Sequence, residues 1–171
     1  MVIKRVALLR ALNVGGANLL PMAELASLCA SLGLDSVRTY IQSGNVVFAS
    51  PLPEPSLRTL LEQALAERMG RRIGVLIRTA AELRATIEAN PFRDAEPART
   101  GILFLHEPAP PDPIARLAPA GPEQVQAIGR EIFIHYPDGM GRSKLRLPAA
   151  LAEGTMRNAK TVAKLAELAG A

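Results

Sequence analysis

The feature that most constrains this chain is the order in which its hydrophobic periods change, because that order runs through once and then begins again. Val6 to Leu12 (VALLRAL) is a near-continuous apolar run, the signature of a strand buried on both faces. Asn13-Val14-Gly15-Gly16 follows as a loop, and Pro21 suits the first turn of a helix. Leu25, Leu28, Cys29 and Leu32 then fall on one helical face that Gly33 closes, which predicts burial of Leu28. Val37 to Ile41 alternates with period two, Ser43-Gly44 is a tight turn, and Asn45 to Ala49 returns as a second strand of a hairpin. Pro51 to Pro55 reads as a linker. Leu57, Leu60, Leu61 and Leu65 mark a second amphipathic helix ending near Gly70, and Arg72 to Arg78 is a fourth strand.

The resulting order, βαββαβ, is the split βαβ or ferredoxin-like unit, and it occupies residues 1–78. Thr79 with Glu82 forms a capping box that opens a connecting helix, which stops at Asn90-Pro91. Residues 79–171 then rerun the order. Gly101 to His106 is a strand, Asp112 to Leu117 a short helix, and Gln124 to Ile128 with Glu131 to Tyr136 a hairpin around Gly129-Arg130. Leu145 to Leu151 and Thr161 to Ala169 read as helical, with no clear closing strand. The expectation is an α+β protein of two ferredoxin-like βαββαβ-type repeats with mostly antiparallel sheets, plus C-terminal helices. The alternative is one larger mixed sheet with helices on one face.

Composition narrows the setting. Hydrophobic residues make up 49% of 171, a folded composition, and no apolar run approaches the ~20 residues of a membrane span. Arg10 interrupts the apolar N-terminus and no small-residue cleavage site follows, so no signal peptide is read. The single cysteine, Cys29, sits on an apolar helix face and reads as core. With only two histidines, neither a metal site nor a cofactor is expected, and a reducing cytoplasm is the expected location.

Two polar clusters are candidate sites. In a ferredoxin-like unit the loop after the first strand and the hairpin turn lie at one end of the sheet. That gathers Asn13, Gly15, Gly16 and Asn18 near Gln42, Ser43 and Asn45, where amides and backbone N–H groups can hold a polar or anionic ligand. The competing reading is that these residues only make turns. Arg10, inside the apolar run, calls for a structural partner. The second cluster is YPDGMGRSK, Tyr136 to Lys144: Gly139 and Gly141 free the backbone, Arg142 and Lys144 supply charge, and Ser143 can cap a helix unless the helix starts at Pro148; the competing reading is a basic turn with a capping serine. From Gly139 to Ala166 there are six basic residues and one acid, a net of +5 against +4 for the whole chain. Such a segment favours phosphates or nucleic acid unless acidic neighbours offset it. His106 and His135 read as structural strand residues. Asp112, Glu123 and Glu131 show no acid–base pairing.

The stretches Leu8 to Leu25, Val37 to Phe48, Asn90 to Phe92, Tyr136 to Lys144 and Arg157 to Thr161 resemble a bacterial family, the domain of unknown function 1697 proteins. The resemblance implies a duplicated ferredoxin-like fold and leaves activity open. It carries over as recurring polar positions Arg10, Asn13, Gly15 and Gly16; Gln42, Ser43, Gly44 and Asn45; Gly141, Arg142, Ser143 and Lys144; and Arg157, Asn158 and Thr161. Ala11 stands where the family usually has Gly, and Ala159-Lys160 where it usually has Trp and Asn, which removes a stacking surface. The leading functional reading is a binding protein for an anionic ligand, either nucleic acid or a phosphorylated small molecule. The alternatives are a metal-independent enzyme on a small anionic substrate and a homo-oligomeric interaction module.

Overall fold

A computed structural model describes residues 1–13, 19–112, 117 and 121–170. The chain divides into two compact units, Met1–Leu83 with Leu165–Ala171, and Arg84–Lys164. In the first, β1 (Ile3–Leu9), α1 (Met22–Ser31), β2 (Asp35–Tyr40), β3 (Asn45–Ser50), α2 (Glu54–Met69) and β4 (Val75–Thr79) follow one another as βαββαβ. The sheet order is β2-β3-β1-β4, every neighbour antiparallel. β1 lies three residues earlier than the apolar run suggested. Ala11 has φ +50°, which ends extended pairing, and Arg10 is left exposed beyond the strand. The linker is also shorter: Pro53 precedes the first turn of α2, and Pro55 lies within that turn.

One face of this sheet carries Ala7, Leu9, Val46, Phe48, Val75 and Ile77 onto Leu25 and Cys29 of α1 and Leu57, Leu61, Leu65 and Met69 of α2. Leu28, expected in the core, is only partly buried, because the inward face of α1 is centred on Leu25 and Cys29. The Cys29 thiol is pushed up to about 11 by burial, in keeping with a packing role. The other face is buried as well, through Val6, Leu8, Val47 and Leu76. Burial on both faces is why the strand reads as a continuous apolar run rather than an alternation.

The second unit contains β5 (Thr100–Phe104), β6 (Gln124–Ile128), β7 (Glu131–His135) and β8 (Thr155–Asn158), in the order β6-β7-β5-β8. Counted within the repeat, this is the strand order of the first sheet. The closing strand that sequence reading did not find is β8. Leu145 to Leu151, expected as a helix, holds only a 3-10 turn at Ala149–Leu151, preceded by another at Met140–Arg142. Pro148 supplies no N–H and the segment is too short to propagate an α-helix. The expected helix Asp112–Leu117 falls mostly outside the described residues. Leu103, Leu105, Ile132, Ile134, Tyr136 and Leu151 form the core on one face of this sheet.

The duplication extends into the helix after each fourth strand, α3 (Ala80–Ala89) and α4 (Ala159–Gly170). Thr79 Oγ1 accepts the Glu82 N–H at 3.1 Å while Glu82 Oε2 accepts the Thr79 N–H at 2.7 Å, the expected capping box. At the equivalent place Asn158 Oδ1 accepts the Thr161 N–H at 2.8 Å. Directly before each cap stands a buried arginine, Arg78 and Arg157, whose Nη1 donates to the preceding carbonyl, Ile77 O at 3.0 Å and Met156 O at 2.9 Å. Ile-Arg-Thr-Ala and Met-Arg-Asn-Ala are thus one local design used twice.

Candidate functional site

At one end of the first sheet the chain joins β1, the β2–β3 hairpin and the start of β4. Leu9 N–H donates to Gly44 O at 2.9 Å, and Arg10 N–H to Gly74 O at 2.8 Å. Asn13, Gln42, Ser43 and Asn45 do come together here, but the asparagines serve their own backbone. Asn13 Nδ2 donates to Leu20 O at 3.2 Å and Gln42 O at 2.9 Å, and its Oδ1 accepts the Leu20 N–H at 2.8 Å. It therefore fastens the loop after β1 to the hairpin. Asn45 is fully buried, its Nδ2 donating to Tyr40 O at 2.9 Å and Ser43 Oγ at 3.1 Å. Gly44 holds φ +86°, a conformation strained for any residue with a side chain, and a Cβ there would also crowd side-chain carbons of Leu9 and Leu12 at 3.0 Å. Arg10, expected to be buried with a partner, is exposed because the strand ends before it. Arg71, which sequence reading passed over, donates from Nη2 to Ala11 O at 3.1 Å and Leu12 O at 2.8 Å. Gly15, Gly16 and Asn18 lie outside the described residues.

In the second unit the chain leaves β7 through buried Tyr136, turns at Gly139 with φ +88°, and makes the 3-10 turn Met140–Arg142. Ser143 ends that turn instead of opening a helix. Its hydroxyl donates to Glu123 Oε1 at 2.5 Å, and its oxygen accepts the Leu145 N–H at 3.1 Å. Around this pair lies a cavity of about 160 Å³ lined by Gly121, Pro122, Glu123, Asp138, Arg142, Ser143, Lys144 and Leu145. Gly141 is exposed beside it.

The electrostatics differ from the +5 of the segment. Two carboxylates face two cations, so the formal charges around the cavity cancel. Glu123 has its carboxyl held below the usual value, first by the Ser143 hydroxyl and then by its own backbone N–H, against a small opposing effect of desolvation. Tyr136 is pushed up to about 12, mainly by burial and secondarily by the Glu123 charge. Glu123 and Asp138 are the residues that sequence reasoning missed. Asp138 lay within the YPDGMGRSK motif and carried its own signal. Glu123 is brought in from beyond the β6–β7 hairpin, and nothing local marks it.

Arg157 and Asn158 do not line this cavity. Arg157 is buried, its Nη1 donating to Thr155 Oγ1 as well as Met156 O, both at 2.9 Å, and burial lowers its pKa to about 10. Asn158 caps α4. Both hold the repeat together, and of the six basic residues of the segment only Arg142 and Lys144 reach the cavity. His135 stacks on Phe92, ring centroids 5.8 Å apart, and His106 O accepts from Arg130 Nη1 at 3.3 Å. Among the described residues no group of His, Cys, Asp and Glu could hold a metal ion, and no helix is long and apolar enough to cross a membrane.

Two four-stranded antiparallel sheets of identical strand order, each closed by a capped helix, define a duplicated ferredoxin-like α+β protein. The chain belongs to the family of proteins of unknown function DUF1697, whose family model matches residues 2–133. Over 99% of both chains it is similar to the structure of the conserved bacterial protein SP0830 from Streptococcus pneumoniae, with 27% identity and a TM-score of 0.81. No curated protein matches it. The family match ends before the Gly139–Lys144 turn, whereas the structural likeness covers both units.

Proposed function

We propose that the second unit binds a small anionic molecule, of the phosphorylated kind, in the cavity between Glu123, Asp138 and the Arg142–Lys144 turn. The observation that carries this reading is the convergence of both charge signs on one concave site of about 160 Å³. Arg142 and Lys144 take the anionic group, with Arg142 offering a planar fork of donors and Lys144 a point charge. Glu123 and Asp138 accept from hydroxyl or amino groups elsewhere on the same molecule and disfavour ligands without such donors. This arrangement favours a small molecule over nucleic acid, since a run of phosphates would meet the two carboxylates as well as the two cations. The cavity, smaller than the ~300 Å³ of a drug-sized pocket, suits a phosphate-bearing head group.

The competing reading, a metal-independent enzyme on a small anionic substrate, draws on the 2.5 Å bond from Ser143 Oγ to Glu123, which pairs a hydroxyl with a carboxylate base. Calorimetric titration with a panel of phosphorylated sugars, amino acids and nucleotides tests binding. Arg142→Ala with Lys144→Ala is expected to weaken binding at least about tenfold, on the scale of two lost charge-assisted hydrogen bonds. Identical isotherms for both proteins, or no binding at low salt, would overturn the reading. Conversion of a bound compound by the wild type, lost in Ser143→Ala at unchanged affinity, would favour the enzyme; saturable binding with no conversion by the wild type favours the binding protein.

A further inference from the structure

The order β6-β7-β5-β8 leaves β6 at the edge of the second sheet. The two-residue turn Gly129-Arg130 pairs Ile128 with Glu131, Gln126 with Phe133 and Gln124 with His135. In an antiparallel hairpin closed this way, those alternate residues bond to the partner strand, and the residues between them turn their N–H and C=O groups outward. Val125 and Ala127 are the outward pair, and their backbone groups bond to no other described residue. The strand Gln-Val-Gln-Ala-Ile has no charge, no proline and no break in register. β2, the equivalent edge of the first sheet, is guarded: it carries Asp35 and Arg38, a register shift between them, and Ser36 at φ +51°. Edges that must stay single are ordinarily blunted by such devices, and β6 has none of them.

We propose that β6 is an interaction edge for a second copy of this chain, the two strands pairing antiparallel about a two-fold axis at Gln126. This register is self-complementary. Val125 and Ala127 of each copy exchange N–H···O=C bonds with Ala127 and Val125 of the other, and Gln126, which is exposed, meets itself in the non-bonded pair at about 4.5 Å between Cα atoms. The charges at the two ends favour the same arrangement. Glu123, which accepts from Ser143, precedes the strand, and Arg130, which donates to His106 O, follows it, so antiparallel pairing brings the Glu123 charge of one copy to the level of the Gly129-Arg130 turn of the other. A strand of this length buries less than the ~800 Å² per partner of a standard interface, so the dimer is weak and concentration-dependent.

Sedimentation equilibrium of the full chain, from low micromolar to near-millimolar concentration, tests this. The wild type is expected to shift from monomer to dimer. Gln126→Lys and Gln126→Glu each place like charges at the two-fold axis and are expected to weaken self-association up to about fivefold, whereas mixing the two restores it. Ala127→Pro removes an outward N–H that β7 does not use and is expected to abolish the dimer. Because Gln126 is exposed, the charge pair gives an answer even if the proline variant fails to fold. A wild type monomeric throughout would overturn the proposal, as would a dimer that none of the three variants weakens. A monomer that instead captures an extended peptide along β6 would overturn the choice of occupant.

Discussion

Ala11 shows how a single residue records a backbone demand. It sits at φ +50°, where glycine is the unstrained choice. Ala11→Gly is therefore expected to stabilise the protein by up to about 1 kcal/mol, the relief of left-handed strain less the added freedom of the unfolded chain. A urea midpoint unchanged or lowered by this substitution would contradict the strain assignment. Glu123 makes a second prediction at this scale. Because its folded-state pKa is lowered, the Ser143–Glu123 bond favours the folded state at pH above the ordinary glutamate range, and that contribution disappears as the pH falls through the lowered value. A carboxyl NMR titration is expected to find Glu123 below the ordinary range in the wild type and moved back toward it in Ser143→Ala. Equal titration in both proteins would remove the hydroxyl as the cause.

At the scale of elements, the segments with strong periods or side-chain caps were legible and the short polar ones were not. The Thr79–Glu82 box announces α3 because both partners of the cap are written three residues apart in the chain. β8 announces nothing: four residues, Thr-Met-Arg-Asn, carry no alternation, and their burial is set by pairing with β5. The Leu145 to Leu151 stretch has apolar spacing but lies around a proline, and only a 3-10 turn forms. Leu28 shared the apolar face of α1 in sequence, yet the helix turns Leu25 and Cys29 inward. Two consequences are measurable by chemical denaturation. Leu25→Ala is expected to cost about 2–5 kcal/mol and Leu28→Ala clearly less. Asn158→Ala and Thr79→Ala, the equivalent caps of the two repeats, are each expected to cost about 1 kcal/mol. A larger loss at Leu28 than at Leu25 would mean that the register of α1 is wrong.

For the whole molecule, repetition of the strand order and of the Arg-cap-helix junction makes the duplication visible even where sequence identity between the halves is low. Of the candidate residues, Arg142, Ser143 and Lys144 were legible through their glycine-flanked motif, and they line the cavity. Asn13, Asn45, Arg157 and Asn158 were legible as polar residues, but their side chains bond to their own loops, strands and caps. A sequence marks a buried polar residue without telling whether its partner is a ligand or the backbone. Partners such as Glu123 come from elsewhere in the chain and become visible only once the hairpin is folded. A small anionic ligand is proposed to bind between Glu123 and Leu145, and not at the asparagine-rich end of the first sheet. The most direct measurement is a two-dimensional amide NMR titration of the full chain with a phosphorylated small molecule. Saturable shifts are expected to concentrate at Glu123, Asp138, Arg142, Ser143 and Lys144 and to be lost in the Arg142→Ala, Lys144→Ala variant. Shifts centred instead on Arg10, Asn13, Gln42 and Ser43 would contradict the proposal.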